Sequence, residues 1–226
     1  NGTGPAGDTR AWDARTGELV WTFETVPGPD DFGYDTWGGD SARNRSGVNV
    51  WGYMSIDEDR GILYMPIGAP NDDRVGVDRP GDNLFSSSVV AVDANTGEYL
   101  WHFQLVHHDI WDYDAQSAPL VVDLERGGET IPSVLVVNKN GLLFTLHRVT
   151  GEPIIPIEER PVAPSQLEGE YASPTQPFPT KPEPLTQMTI SRDNLYKGEP
   201  QHQAYCEAMV DDNDMKLGGP YMPIAV

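Results

Sequence analysis

The sequence predicts an all-β chain built by radial repetition of small antiparallel sheets, an arc of a β-propeller. Three observations carry this. The pattern A-x-D-A-x-T-G-E-x-x-W stands at 11–21 and again at 91–101, with seven shared positions in eleven and an offset of 80 residues, too close a match for chance and the mark of an internal repeat. β-Prone runs alternate with Gly-, Asn- and Asp-rich turns. No helical period is sustained through residue 150.

Each copy of the repeat divides into strand, tight turn and strand. In the second, residues 89–92 are Val-rich, Asp93-Ala-Asn-Thr96-Gly97 offers side-chain acceptors and a glycine for a positive-φ position, and 99–103 resumes a strand. A degraded third copy keeps Thr150-Gly151-Glu152 and has Ile155 where the others have Trp21 and Trp101. Further strands are expected at 51–56, 62–67, 119–123, 133–137 and 142–147, with turns at 57–61 and 138–141. One hairpin-rich unit per copy fits a propeller better than a sandwich, and the repeated Trp is expected to dock one blade onto its neighbour.

Two long interruptions exceed what a minimal blade needs. Residues 26–49 are rich in Gly, Pro and Asp and include Tyr34 and Trp37, and residues 69–83 carry Asp72, Asp73, Arg74 and Asp78. Loops of this length are usually functional or disordered, and aromatic content favours order for the first. From Gly151 onward the prolines, among them Pro156, Pro161, Pro174, Pro177 and Pro179, argue against continuous ladders and for an extended surface strap, with a short helix near 201–210. The expected organisation is propeller blades over 1–150, then a Pro-rich strap with a short helix over 151–226 within the same domain.

Composition narrows the function. With 38% hydrophobic residues the chain can build a core, and with 15 basic against 35 acidic residues its net charge is −20. No Lys/Arg run is present to track phosphates, which argues against nucleic acid and anionic membrane surfaces as partners of this stretch. Cys206 stands alone, which rules out an intrachain disulfide, and no Cys/His spacing fits zinc. There is no apolar run of membrane-spanning length, and a start at Asn1 leads us to expect a piece of a longer protein.

The densest chemistry lies at 101–114, where Asp109, Asp112 and Asp114 are interleaved with His107, His108, Trp101 and Trp111. Acids resist burial and aromatics favour it, so the mixture fits either a half-enclosed polar pocket or an acidic surface turn pinned by its tryptophans.

These features together resemble the quinoprotein dehydrogenases that use pyrroloquinoline quinone (PQQ), and within them the membrane glucose dehydrogenase-like branch. The resemblance rests on the two Trp-docking motifs, on Val106-His107-His108-Asp109-Ile110-Trp111-Asp112, on Asn138-Lys139-Asn140-Gly141, and on the proline-rich runs beginning at Pro156 and Pro174. It implies an eight-bladed propeller of four-stranded sheets, of which this chain would supply about three to four. It also implies PQQ on the axis beside a divalent metal, calcium or magnesium.

Residue by residue, the resemblance makes Asp112 the general base that also contacts the metal, Lys139 the cation beside the quinone oxygens, and Trp51 the indole on which PQQ stacks. His107, His108 and Trp111 would shape the substrate pocket, and Asp109 and Asp114 fall to supporting or surface roles. Taken singly, each has a plainer reading: an Asp forms turns, a Lys in Asn-Lys-Asn-Gly is a hairpin tip, and a Trp opening a strand is core. The sequence departs from the alcohol-dehydrogenase branch at Ile67-Gly68-Ala69, where an Asn metal ligand is expected, so that ligand is either missing or replaced by Asn71 or an upstream residue. Other ligands would precede Asn1, so this chain alone is expected to hold an incomplete, inactive site.

The implied activity is oxidation of a sugar or polyol hydroxyl by hydride transfer to PQQ, with electrons passed to ubiquinone or another acceptor. The implied location is the periplasm, attached to the inner membrane through other parts of the parent protein. Quinate, glycerol or a simple alcohol is the alternative substrate, and a non-catalytic propeller scaffold is the alternative from another class.

Overall fold

The computed structural model describes residues 4–43 and 45–222, so Asn1 and Val226 lie outside the described residues. The strands are β1 (Thr9–Trp12), β2 (Leu19–Phe23), β3 (Ser55–Asp57), β4 (Ile62–Ile67), β5 (Ser88–Asp93), β6 (Tyr99–Gln104), β7 (Leu120–Arg126), β8 (Glu129–Val137), β9 (Leu143–His147), β10 (Ile157–Pro161) and β11 (Thr175–Pro179), followed by helix α1 (Pro200–Asp212). They form four sheets, β1-β2, β3-β4-β5-β6, β7-β8-β9 and β10-β11, with every pairing antiparallel. The second sheet is a complete four-stranded blade. Beside β9, an isolated bridge from Leu146 to Pro153 continues the third sheet where a fourth strand would run.

Period-two patterning explains how the blades stack. In β5 all of Val89, Val90, Ala91 and Val92 are fully buried, because alternate side chains enter different cores. Val89 and Ala91 join Tyr64, Trp101, Val134, Val136, Phe144 and Leu146 in the core shared with β7-β8-β9. Val90 and Val92 join Trp21, Phe23, Met65 and Ile67 on the side of β1-β2. A blade apolar on both faces is stable only between two neighbours, and each buried Val contributes about 1.5–3 kcal/mol.

The repeat does its work at these boundaries. Trp21 donates Nε1–H to the carbonyl of Ala94 at 3.0 Å, and Trp101 donates to that of Arg148 at 3.2 Å. Each indole therefore reaches the turn of the next copy. Within the turns, Asp13 accepts from the amides of Arg15 and Thr16, and Asp93 from those of Asn95 and Thr96. These hydrogen bonds hold both carboxyls below the usual range. His147 occupies the Asp place of the third copy and accepts from the amide of Thr150 at 3.3 Å.

Two expectations need correction. The strand foreseen at 51–56 is confined to Ser55–Asp57, because the chain before it runs against another segment: a side chain at Gly52 would come within 2.3 Å of the Gln116 carbonyl. The proline-rich segment, expected to lack a ladder, pairs β10 with β11 over five residues. The reason is parity. Amide-to-carbonyl bonds Val162 to Pro174 and Thr180 to Pro156 bracket the ribbon, so the even-numbered residues carry its hydrogen bonds, whereas Pro161, Pro177 and Pro179 occupy the alternate positions that need no donor toward the partner. Ile157 and Phe178 pack against the first core, tying the ribbon to the blades. The helix stands where expected, with Pro200 in its first turn.

Candidate functional site

Antiparallel strands run up and down in turn, so the start of β3 and the ends of β4, β6 and β8 share one end of the blades. Trp51, Gly68-Ala69, Asp112 to Asp114, and Lys139 are carried there. Their side chains meet. Lys139 Nζ lies 2.7 Å from Asp112 Oδ1 and 2.7 Å from Asp114 Oδ2, and 5.2 Å from the centroid of the Trp51 ring. Asp114 Oδ2 also accepts from Trp51 Nε1–H at 3.1 Å, and Asp114 Oδ1 accepts from the Ala69 amide at 2.5 Å. Arg74, from the 69–83 loop, brings Nη2 to 3.6 Å from Asp112 Oδ2. Gly68 makes room, since a β-carbon there would lie 2.9 Å from Asp114 Oδ1 and 3.0 Å from Trp51 Nε1.

The turn that presents Asp112 is built on Asp109, which is fully buried. Its Oδ1 accepts from the Trp111 amide at 2.9 Å, and its Oδ2 accepts from the Tyr113 amide at 2.9 Å and from Ser87 Oγ at 2.6 Å. Burial nonetheless pushes this carboxyl up to about 6. Held this way, the backbone turns sharply, with φ +44° at His108 and +63° at Asp112. A β-carbon-bearing residue in the left-handed region costs of order 1–3 kcal/mol, and such strain concentrates at functional positions.

Electrostatics divide the cluster. Burial pushes the Asp112 carboxyl above its ordinary range despite the opposing hydrogen bond from Lys139. Partial burial works against the charge on Lys139, but its bonds to Asp112 and Asp114 outweigh this and hold the ammonium above its usual value. Asp112 is thus a partly exposed carboxylate between two cations. It can accept a proton or bind a hard cation, and Lys139 can stabilise negative charge on a neighbouring oxygen.

The structure brings Trp51, Asp112, Asp114 and Lys139 together and gives the other named residues partners elsewhere. His107 bonds through Nδ1 to Gln104 Oε1 at 2.9 Å and through Nε2 to Glu159 at 3.1 Å. His108 is fully buried, with Nδ1 against the Gly81 carbonyl at 2.6 Å, and burial lowers it to about 4. Trp111 is buried and donates to the Met222 carbonyl at 2.8 Å. The Asn71 amide is directed to Ser46 Oγ at 2.6 Å. Asp109 and Asp114 are both buried, which corrects the surface role allowed for them.

The sequence leaves Asp114 among the supporting or surface acids and shows Arg74 only as a member of the 69–83 loop, whereas the structure brings both to the cluster. The signal for Asp114 was its place two residues from Asp112 across the aromatic Tyr113. Arg74 left no pattern to find. Among the described residues no group of three or more His, Cys, Asp or Glu side chains is arranged to hold a metal ion.

Comparison with known proteins extends the picture. The chain matches the family model "PQQ: Glucose/ethanol/alcohol dehydrogenase, beta-propeller domain" over residues 1–226. It is 35% identical over 205 residues to the glycerol dehydrogenase large subunit of Gluconobacter thailandicus, covering 89% of this chain and 27% of that protein. It is 32% identical over 227 residues to the quinoprotein glucose dehydrogenase of Gluconobacter oxydans (strain 621H), covering 96% of this chain and 27% of that protein. The crystal structure of quinohemoprotein alcohol dehydrogenase from Comamonas testosteroni aligns with a TM-score of 0.63 and 29% identity over 77% of this chain and 28% of that one. The chain therefore spans about a quarter of the length of the relatives it matches.

Proposed function

The chain belongs to the β-propeller family of PQQ-dependent glucose, ethanol and alcohol dehydrogenases, and from that membership we propose that the whole protein oxidises a sugar or polyol hydroxyl. The observation that carries the proposal is the convergence of Trp51, Asp112 and Lys139, distant in sequence, on one cluster. The residues present fit the cofactor. Trp51 is 54% exposed, offering an indole face for a flat ring, and Lys139 beside it is a cation for an electron-accepting oxygen. The metal fits less completely: Asp112 alone offers an approachable carboxylate, since both oxygens of Asp114 already accept from Ala69, Trp51 and Lys139, whereas calcium takes about 6–8 oxygen ligands, so donors from beyond this cluster would be needed.

When bound, PQQ supplies the two-electron acceptor. The chain's own groups supply the rest. Trp51 holds the ring plane, Lys139 places positive charge where negative charge develops, and Asp112 takes the hydroxyl proton of the substrate. Of the residues expected to shape the substrate pocket, His107 is the partly exposed one that could face it, while His108 and Trp111 are buried and would act only through the backbone they support. We place the activity in the periplasm, with electrons leaving to ubiquinone or another membrane acceptor. The chain alone is proposed to be inactive.

The test is to reconstitute the complete polypeptide carrying this sequence with PQQ and calcium and follow dye-linked oxidation of glucose, glycerol and quinate. Sugar or polyol turnover abolished by Asp112→Asn supports the proposal. Full turnover in that variant removes Asp112 as the base, and failure to bind PQQ returns the protein to the scaffold reading.

A further inference from the structure

Asp114 is the most enclosed polar group of the cluster, and its contacts come from three separate segments. Its residue is 5% exposed. Oδ1 takes the Ala69 amide at the end of β4, and Oδ2 takes the Trp51 indole N–H before β3 and the Lys139 ammonium after β8. The backbone joins in, since the Lys139 amide donates to the Asp114 carbonyl at 3.1 Å. A buried carboxylate is tolerated only when its lone pairs are satisfied, and here three donors do so.

Asp112 differs. Its side chain is 23% exposed and meets only mobile-ended cations, Lys139 at 2.7 Å and Arg74 at 3.6 Å, among the ion pairs of the described residues. One carboxylate is locked and the other left approachable.

The lock matters because of what it holds. Trp51 is half exposed and so lacks the packing that fixes a core indole, and a lysine side chain carries about 2 kcal/mol of rotamer entropy. Orientation of both must come from a directional contact, and Asp114 is the group they share. We infer that Asp114 is a positioning residue that sets the Trp51 ring plane and the Lys139 ammonium together, linking cofactor seat to charge stabilisation. The inference rests on the function proposed above and goes beyond it by assigning the preorganisation of both groups to one carboxylate.

The experiment uses the complete polypeptide and four variants, Asp114→Asn, Asp114→Ala, Trp51→Ala and Lys139→Ala. PQQ affinity is measured by equilibrium dialysis well below the melting temperature, alongside kcat and KM. Asp114→Ala should weaken PQQ binding and lower kcat, each by about tenfold or more, the loss of a charge-assisted hydrogen bond. Asp114→Asn keeps an acceptor but loses the charge, so it should restore most of the PQQ affinity while kcat stays low and substrate KM is little changed. Asp114→Ala with unaltered affinity and kcat, when Trp51→Ala and Lys139→Ala impair both, overturns the positioning role alone. If the Ala variant does not fold, Asp114→Asn with unaltered kcat does the same. Unaltered PQQ binding and turnover in Trp51→Ala and Lys139→Ala overturns the functional proposal, and this inference with it.

Discussion

The indole of Trp101 lies so close over Gly151 that a β-carbon on that glycine would sit 2.6 Å from the ring. Trp21 and Gly97 repeat the relationship at 2.7 Å. Gly17, at the same place in the first copy, has a similar φ of +74° but nothing within 4 Å. Comparing Gly17→Ala with Gly151→Ala therefore separates backbone strain from docking. The first should cost about 1–2 kcal/mol and the second about 1–3 kcal/mol more, read as denaturant midpoints. Equal losses would mean that the glycine serves only its turn.

Lys139→Ala should lower turnover of the PQQ-loaded protein by about 10²–10³-fold, the range for removing one donor from a site of developing negative charge. Steady-state kinetics with saturating substrate would check this. A fall confined to KM would instead give Lys139 a substrate-binding role.

His108 and Asp109 make opposite contributions to stability as pH changes. Asp109 is raised from 3.8 to about 6, so its contribution is full below the lower value and lost as pH rises through the upper one. His108 is lowered from 6.5 to about 4, so its contribution is full above 6.5 and lost as pH falls through 4. Each amounts to about 3 kcal/mol at ~1.4 kcal/mol per unit, and between these limits the two slopes cancel. Asp109→Asn, besides its overall cost, should uncover the His108 slope. Its unfolding midpoint is expected to rise between pH 4.5 and 6.5 more steeply than that of the unsubstituted protein.

Arg148 joins the two larger blades through a buried ion pair, Nε to Asp57 Oδ2 at 2.8 Å, and reaches Asp123 Oδ1 at 3.0 Å. Arg148→Met should destabilise by about 3 kcal/mol, because Asp57 would stay buried. Arg60, 3.1 Å from Asp57 Oδ2, limits the loss. Thermal unfolding would measure it, and a Tm within a degree of the parent would deny the pair a structural role.

The blades were legible because their determinants are local and repeated. Val89 to Val92 announce a doubly buried strand, and Asp93, Thr96 and Gly97 announce its turn. The site was partly legible, since Asp112 and Lys139 sit in recognisable surroundings. Asp114 was harder to rank: its importance comes from Trp51, Ala69 and Lys139 converging on it, a fact of the fold. Burial decided likewise for Asp109, where the sequence shows an acid beside histidines and the structure a carboxylate inside the turn. The β10-β11 ribbon is not legible from the number of its prolines, because what decides pairing is the side of the strand each proline faces.

That same alternation bears on how the protein avoids its own kind. A two-stranded ribbon has two open margins, each a template for a further strand. With the inward amides at even positions, Pro177 and Pro179 fall on the outward margin of β11, which keeps only the Thr175 amide among its outward positions, and Pro161 removes one donor from the margin of β10. An incoming chain would find acceptors with few donors to answer them. The prolines let the ribbon close on itself and discourage it from recruiting a third strand, a safeguard against aggregation during folding.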